Sequence, residues 1–440
     1  MPSSRRDFIK STAATSLGVA MTNRFPGILS SGSPNETLVV AVVGLNGRGA
    51  VHAQNFGRQM KNAEVAYLCD VDSNVLAKAQ KASASDARAP KGIGDFRHAL
   101  DDKNVDIVSI ATPDHWHTPL AILAMQAGKH VYLEKPSSHN PHEAELLLAA
   151  QKKYNRIVQL GTQQRSSPRT IEALAALNEG IVGVPYLTRA WYANTRVGIG
   201  RGKPVPVPSN LDYQLWQGPA PRAPYHDNVI HYNWHWFRRW GTGEVHNNGT
   251  HEIDIARLTL DVGFPTSVMS NGSRTHYADD WEFPDSQEAT YEFEGGKRII
   301  WMSESCNGTP TFDRGRGTAT YGTKGTLVLD RDGYVVFDLK GKPVTQNIEP
   351  KRGNGLDLVG DDAATLSHME NFAAAIRSGE ALRAPVSDGI KTNIVCHLGN
   401  IAQFSGRKLR VDPTNGHVVG DAEAMKLWSR TYEPGWEPSV

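Results

Sequence analysis

The sequence predicts an α/β protein with two domains, an N-terminal doubly wound parallel sheet and a C-terminal α+β domain with a mainly antiparallel sheet. Strand-like apolar runs alternate with helical patterns over residues 37–160, and a glycine-rich turn joins the first strand to the first helix. After residue 160 the strand-like runs are linked by short turns, such as the glycine pair at 294–297, which indicates hairpins.

Length and composition exclude several classes of protein. A typical domain has about 150 residues, so a chain of 440 residues is expected to form two or three domains. The 47 Lys and Arg residues balance 46 Asp and Glu residues, so the charge pattern of a dedicated nucleic-acid binder is absent. Cys69, Cys306 and Cys396 are odd in number and far apart, which predicts neither a disulfide framework nor a cysteine-based zinc site.

The first residues resemble a twin-arginine export signal. Ser4-Arg5-Arg6 is followed by Phe8, Ile9 and Lys10, and then by a weakly apolar stretch over 11–21. That stretch is too short to span a bilayer, which needs about 20 residues. We therefore expect a periplasmic or otherwise exported protein. No clear cleavage site follows, so signal cleavage and retention as an anchor both remain open.

The glycine-rich turn has the layout of a dinucleotide-binding Rossmann unit. An apolar, β-branched run at 37–43 leads into the turn, a helical pattern extends to about Met60, and a second strand ends at Asp70. Glycines let the backbone approach a pyrophosphate, the helix N-terminus supplies N–H donors, and the acid binds ribose hydroxyls. The residues expected to hold the cofactor in this unit are Gly44, Asn46, Gly47, Arg48, Gly49 and Asp70.

The turn departs from the usual glycine motif at one position, and two acids are candidates for the ribose. Asn46 replaces the usual second glycine, but Asn tolerates left-handed backbone angles and Gly47 adds freedom next to it. Asp70 and Asp72 are both candidates for the ribose, and Asp70 is favoured because it lies at the strand tip. A carboxylate there repels a 2′-phosphate, so the sequence predicts NAD, with NADP less favoured.

Further polar residues follow the later strands of the same domain. Strands at 105–113 and 130–133 end in Thr112-Pro113 and Glu134-Lys135, and His117 follows shortly after the first of them. Ligands of doubly wound sheets bind at the carboxyl ends of the strands. We therefore expect these residues at the cofactor: Thr112, Pro113, His117, Glu134 and Lys135.

Glu134-Lys135-Pro136, the Thr112-Pro113 turn with His117, and the nucleotide motif together resemble the family of glucose-fructose oxidoreductase and inositol dehydrogenase. The resemblance covers about residues 37–412 and implies that Lys135 lies near the nicotinamide and transfers a proton. A lysine desolvated at a strand tip can have its pKa lowered toward the working pH, as an acid or base requires. The alternative is a surface lysine paired with Glu134.

The second domain supplies a matching motif. A helix beginning near Glu244 would place Asn247 and His251 at i and i+4 on one face, with Asp254 one turn further on. The resemblance implies that His251 exchanges a proton with a substrate hydroxyl. Asn247 replaces the family's usual Asp, so the division of labour between His251 and Lys135 stays open. The alternative is a hydrogen-bonded core histidine.

Aromatic residues are concentrated in the second domain, where seven of the ten tryptophans lie between 191 and 301. Aromatic faces suit sugar rings, although packing of a sheet explains most buried tryptophans equally well. We expect four residues to bind substrate: Asn247, Asp254, Trp234 and His235. No metal site is expected, because no HExxH motif or cysteine pair accompanies His231 and His235.

These observations predict an exported, NAD-dependent oxidoreductase that acts on a sugar, polyol or glycoside and holds its cofactor tightly, since no NAD pool is evident outside the cytoplasm. One alternative is an NAD-dependent glycosidase that works by transient oxidation and elimination. Another is a non-enzymatic nucleotide-binding module. We expect a small carbohydrate as substrate, a homo-oligomer, no nucleic-acid partner and no membrane span in the mature chain. The expected segments are 1–33, 34–160, 161–412 and 413–440.

Overall fold

A computed structural model describes residues 37–85, 89–348 and 362–440 of the chain. The twin-arginine pattern lies outside the described residues. No helix within the described ranges combines the length and apolar character needed to cross a membrane.

The first domain contains a six-stranded parallel sheet, as the sequence predicted. Its strands are β1 Leu38–Val43, β2 Ala63–Cys69, β3 Lys91–Ile93, β4 Ile107–Ile110, β5 His130–Leu133 and β6 Val158–Leu160. They lie in the sheet in the order β3-β2-β1-β4-β5-β6. The chain order reverses beside β1, which lies between β2 and β4 and marks the crevice where ligands of such sheets bind.

Helices cover both faces of this sheet, which explains why its strands are apolar on both sides. Local signals set their ends: the Asp72 carboxylate caps one helix, Asn140 and Pro141 begin another, and Gly128, with φ +80°, follows a third. The helices are α1 Arg48–Gln54, α2 Ser73–Ala82, α3 Arg97–Asp101, α4 His117–Gln126 and α5 Pro141–Tyr154.

The second domain contains a nine-stranded sheet. Its strands are β7 Pro185–Ala193, β8 Ser267–Ser273, β9 Ser286–Glu292, β10 Arg298–Glu304, β11 Arg316–Gly322, β12 Gly325–Leu329, β13 Gly333–Asp338, β14 Pro343–Ile348 and β15 Leu409–Arg410. They lie in the sheet in the order β14-β13-β12-β11-β7-β10-β9-β8-β15. All its pairings are antiparallel except that of β7 with β10, and the glycine turn at 294–297 joins β9 to β10 as a hairpin, as expected.

One helix of the C-terminal part packs on the first domain instead of the second sheet. Met369 and Phe372 are fully buried in the same apolar cluster as Val40 and Tyr132. The two domains therefore share part of their core. The helices of this part of the chain are α6 Pro168–Asn178, α7 Tyr213–Gln217, α8 Glu244–Asn247, α9 Gly249–Leu260, α10 Asp362–Ser378, α11 Val386–Ser405 and α12 Ala422–Met425.

A buried ionic network ties the segment after the first sheet to two helices of the C-terminal part. Arg165, just after β6, binds Asp254 of α9 through Nε at 2.6 Å and Asp388 of α11 at 2.7 Å. Thr392 adds a 2.7 Å hydrogen bond to Asp254. Burial alone would raise the pKa of Asp388, but Arg257 and Arg165 outweigh it and lower that pKa to about 2. The Asp388 carboxylate is therefore ionised throughout the neutral range.

The first prediction concerns this network. Asp254→Asn should lower the free energy of unfolding by about 3 kcal/mol, because it breaks a buried ion pair and leaves the Arg165 guanidinium short of a counter-charge. Urea unfolding followed by circular dichroism measures the loss. Glu423→Gln is the matched control: it removes an exposed pair with Lys426 and should change stability by less than about 1 kcal/mol. Equal effects of the two variants would contradict the assignment.

Candidate active site

A cleft of about 1350 Å³ lies at the carboxyl ends of the first sheet, between the two domains. It gathers most of the residues that the sequence singled out, from both sides. All of the expected site residues line it except Gly49 and Asp254. Those that line it are Gly44, Asn46, Gly47, Arg48, Asp70, Thr112, Pro113, His117, Glu134, Lys135, Trp234, His235, Asn247 and His251.

The three glycines of the turn have different roles. A Cβ on Gly44 would lie 2.6 Å from the Ala111 oxygen, and one on Gly49 would lie 1.6 Å from the Gly44 oxygen, so both allow close packing. Gly47 has φ +95° and open space where its Cβ would point. The positive φ angles of the turn therefore fall on Gly44 and Gly47 and not on Asn46, so the missing second glycine does no harm.

The structure favours Asp70 over Asp72 as the ribose-binding acid. The Asp70 carboxylate lines the cleft and accepts hydrogen bonds from the backbone of Leu45 at 2.8 Å and of Asp72 at 2.9 Å. Burial nevertheless raises the pKa of Asp70. The Asp72 side chain instead caps α2 through the Asn74 backbone at 2.8 Å and contacts His231 at 3.0 Å.

Glu134 is a buried anion in the wall of the cleft. Arg48 Nε lies 2.9 Å and His52 Nε2 lies 3.0 Å from the same carboxylate oxygen. Burial would raise the pKa of Glu134, but Arg48 and His52 hold that pKa well below its usual range. A Cβ on Gly161 would lie 2.8 Å from this carboxylate, so the glycine makes room for it. Arg48 and Glu134 therefore bind each other at the edge of the expected cofactor site.

Lys135 crosses the cleft toward the second domain. Its Nζ donates to the Asn247 carbonyl at 2.7 Å and lies 3.3 Å from Asn247 Oδ1, so it is not a surface lysine paired with Glu134. Burial lowers the pKa of Lys135; nearby Glu134 and Asp114 oppose this effect, whereas Arg316 and Arg331 add to it. This amine therefore loses its proton more readily than a free lysine does.

His117 supports the lysine loop. One of its ring nitrogens contacts the Pro136 carbonyl and the other lies 2.7 Å from the Thr112 carbonyl. The ring thus ties together the chain segments that follow β4 and β5. Both nitrogens are occupied by the protein's own backbone, which favours a supporting role over direct contact with a ligand.

His251 lies on the opposite side of the cleft, near the start of α9. Only 5% of its surface is exposed, and its ring makes no hydrogen bond to any other described residue. Burial lowers the pKa of His251 well below its ordinary value, and the charges of Arg331 and Lys135 lower it further. The imidazole is therefore neutral at the cleft wall. A structural histidine in the core would have hydrogen-bond partners at both ring nitrogens.

The helix expected from Glu244 is interrupted. It ends at Asn247, and α9 begins at Gly249 with Asn248 between them. Asn247 and His251 nevertheless reach the same cleft, as the spacing predicted.

Asp254 is the substrate-binding expectation that has to be corrected. It is 1% exposed, lies away from the cleft and is held by Arg165 and Thr392. Arg165 and Thr392 hold the Asp254 carboxylate inside the protein, one helical turn beyond His251.

Trp234 and His235 form one wall of the cleft. Their rings stack with centroids 3.6 Å apart and planes inclined by 18°. His235 Nδ1 lies 2.6 Å from the backbone carbonyl oxygen of Tyr232, and burial lowers the pKa of His235 to about 3. The two side chains thus present a neutral aromatic surface.

The two histidines considered as possible metal ligands, His231 and His235, line the cleft but are bound to other groups of the protein. His231 is bound to Asp72, as described above. Within the described residues, one group has the spacing to hold an ion, His276 with Asp285 and Cys306, but Asp285 already binds Arg274 Nη1 at 2.8 Å.

Sequence reasoning missed several polar residues of the cleft. Asp114 is 3% exposed and accepts a 2.6 Å bond from Thr242, and its position directly after Thr112-Pro113 was a usable signal. Arg316 binds Glu252 at 2.7 Å and Asn248 at 3.2 Å. Antiparallel pairing of β7 with β11 brings Tyr192 and Arg316 to the cleft, and Arg331 lies in the turn between β12 and β13. None of these three cleft residues carried a local signal in the sequence.

The residues present fit a dinucleotide. The open side of Gly47 leaves space against the backbone, and Asp70 lies at the tip of β2. The Thr112 hydroxyl is buried at the cleft without a hydrogen-bond partner among the described residues. An unpartnered hydroxyl at the carboxyl edge of a parallel sheet is the kind of group that a ligand satisfies.

Family models match both domains. The model described as the oxidoreductase family with an NAD-binding Rossmann fold matches residues 38–162, and the one described as that family's C-terminal alpha/beta domain matches residues 182–326. Together they cover more than half of the chain. The chain belongs to the Gfo/Idh/MocA oxidoreductase family. Its first domain is therefore the NAD-binding domain of that family, and the resemblance based on Glu134-Lys135-Pro136 is confirmed.

Curated relatives agree with this assignment. The chain is 28% identical to inositol 2-dehydrogenase of Rubrobacter xylanophilus over 167 residues, which are 38% of this chain and 47% of that protein. It therefore spans about half the length of that relative. Inositol 2-dehydrogenase 2 of Saccharopolyspora erythraea is 23% identical over 386 residues, 86% and 97% of the two chains. Glycosyl hydrolase family 109 protein 2 of Shewanella sp. ANA-3 is 40% identical over 102 residues, 22% of each.

Solved structures share the fold. Aldose-aldose oxidoreductase from Caulobacter crescentus, complexed with glycerol, has a TM-score of 0.64 at 20% identity, over 86% of this chain and 100% of that one. Levoglucosan dehydrogenase, in complex with NADH and levoglucosan, has a TM-score of 0.66 at 18% identity, over 85% and 99%.

The second prediction tests the glycine turn. Gly47→Ala should weaken NAD binding about tenfold, because a side chain in a left-handed conformation costs roughly 1–2 kcal/mol and its Cβ enters the space beside the turn. Gly128→Ala is the matched control, since Gly128 has φ +80° and also has open space around its missing Cβ, but lies after α4 outside the cleft. Calorimetric titration with NAD should separate the two; equal affinities would contradict the assignment.

Proposed function

We propose that this protein is an NAD-dependent oxidoreductase that acts on a hydroxyl-bearing carbon of a sugar, a polyol or a glycoside. The observation that carries the proposal is the pairing of Lys135 and His251 in one cleft. They come from different domains, and each has a pKa lowered by burial and by neighbouring cations. Groups tuned in this way are typical of acid–base sites.

The backbone around Gly47 with Asp70 and Thr112 would hold the dinucleotide. When bound, NAD supplies the chemistry of hydride acceptance and return. The protein's own task is the proton on the substrate hydroxyl. Neutral Lys135 has a lone pair for that proton, while its N–H groups stay bound to Asn247 at 2.7 Å and 3.3 Å and fix the position of Nζ.

His251 completes the acid–base pair. Its neutral ring has a donor and an acceptor, so it can hold a second hydroxyl in place or exchange a proton with it. Trp234 and His235 offer an aromatic surface for a sugar ring on the same side of the cleft. We propose Lys135 as the residue that takes the hydroxyl proton and His251 as its partner on the substrate.

A second candidate is redox-neutral cleavage of a glycoside. It is favoured by the 40% identity over 102 residues to glycosyl hydrolase family 109 protein 2. Elimination next to a transient ketone needs two proton carriers, one for the hydroxyl and one for the neighbouring C–H. Lys135 and His251 meet that need without the pair of carboxylates that ordinary glycosidases use.

We further propose that the protein is exported and retains its cofactor. The support is the Ser4-Arg5-Arg6 pattern with Phe8 and Lys10 in the sequence. An enzyme outside the cytoplasm has no evident supply of NAD. Keeping one bound molecule and regenerating it within each cycle removes that need.

The third prediction concerns Lys135. Lys135→Met should reduce kcat/KM by at least about 100-fold, because acid–base residues typically contribute two to four orders of magnitude. In the wild type, kcat/KM should rise with pH as Lys135 deprotonates, at a pKa below the 10.5 of a free lysine, and Lys135→Met should abolish this limb.

Lys129 provides a matched control for this experiment. It lies at the opposite end of β5, donates to the Asp102 carbonyl, and burial lowers its pKa too. Lys129→Met should keep the wild-type kcat/KM and pH profile. An unchanged pH profile in Lys135→Met would remove Lys135 from the mechanism.

The fourth prediction separates the two candidate reactions. Protein purified without added nucleotide should contain NAD by mass analysis and by its absorbance spectrum. A panel of aryl glycosides is then tested: release of the phenol without added NAD supports cleavage, whereas turnover only with an electron acceptor supports net oxidation. Protein that neither contains nor binds NAD would overturn the proposed function.

A further inference from the structure

The C-terminal arm, residues 413–440, lies beyond both matched family regions and packs on this chain's own surface. Its first part stays on the second domain, where Arg407, just before the arm, binds Asp421 at 2.7 Å and Val418 pairs with Val411. After α12 the arm leaves that domain.

The arm then crosses to the first domain. Arg430 Nε donates at 2.9 Å to Glu143, a fully buried residue of α5, and Arg430 Nη2 donates at 2.8 Å to the His115 carbonyl. The Tyr432 hydroxyl donates to the same Glu143 carboxylate at 3.0 Å. The other Glu143 oxygen accepts the His139 backbone N–H, four residues after Lys135. The arm is therefore bonded to the helix that holds the lysine loop.

The last residues contact both domains at once. The Glu433 backbone donates to the Pro219 carbonyl at 3.1 Å, and its carboxylate accepts from the Arg222 backbone at 3.1 Å, both in the second domain. The Trp436 indole packs edge-on against Trp116 of the first domain, with ring centroids 5.2 Å apart. The Ser439 carbonyl accepts from Gln126 of α4 at 3.0 Å.

Trp116 connects these contacts to the cofactor cleft. It lines the cleft, and its Nε1 donates to the carbonyls of Leu215 and Trp216, two cleft residues from the second domain. Gly218 fits against the same indole, since a Cβ there would lie 1.9 Å from it. Trp116 thus forms a wall across the domain boundary, and Trp436 supports that wall from outside.

We infer that the arm is a clasp that slows release of the dinucleotide, with Trp436 and Arg430 as positioning residues of the cofactor site. This inference rests on the proposed function, in which the cofactor stays bound between turnovers. Release requires the two walls of the cleft to separate. The arm bonds to both domains, so separation must also break either its first-domain contacts, made by Trp436 and Arg430, or its second-domain contacts, made by Glu433.

The test measures the rate at which full-length protein releases NADH, by displacing the fluorescent bound nucleotide with excess NAD. Trp436→Ala should release NADH about tenfold faster, because an edge-on aromatic pair stabilises a contact by roughly that factor beyond its buried area. Trp436→Phe should restore most of the slow release. Arg430→Met provides a second, independent probe in the same direction.

Arg407→Met is the control, because its ion pair with Asp421 holds the arm on the second domain only. It should release NADH at the wild-type rate. Wild-type release in Trp436→Ala and Arg430→Met, with unchanged thermal unfolding, would overturn the clasp. Wild-type protein that never binds NADH would instead overturn the proposed function.

Discussion

The hydrogen bond between Lys135 Nζ and the Asn247 carbonyl joins the two domains at the point where chemistry is expected. A buried amine without a partner is costly, so the carbonyl makes its burial possible. A carbonyl oxygen also accepts a hydrogen bond from the amine whether the amine is protonated or neutral. Lys135 can therefore lose a proton without losing its position, which an ion pair with a carboxylate would not allow.

The position of that bond depends on how firmly the domains hold each other. Arg165, just after β6 of the first sheet, is bound to Asp254 and Asp388, and Met369 and Phe372 place one C-terminal helix in the core of the first sheet. Charged and apolar contacts thus cross the same boundary. Asp254 belongs to this support, and because it fixes α9, which carries His251, it influences the site without reaching the cleft.

The first domain was predictable because its signals are local. Apolar strands, a glycine turn and Asp70 appear in order along the chain, and parallel strands necessarily bring their carboxyl ends to one edge. The second half of the site was only partly predictable. Helical spacing correctly brought Asn247 and His251 together. Arg316 reaches the cleft through the pairing of β11 with the distant strand β7, and Arg331 lies in the turn between β12 and β13; no local pattern places either residue there.

The charges around Lys135 also connect cofactor binding to acid–base chemistry. Glu134, its neighbour in the chain, would hold the proton on Lys135 if it acted as a free anion. Arg48, at the start of the helix after the glycine turn, instead binds Glu134 at 2.9 Å. Any shift of the turn that weakened this contact would leave Glu134 less neutralised and raise the pKa of Lys135. The glycine turn thereby contributes to the pKa of Lys135, alongside the larger effect of burial.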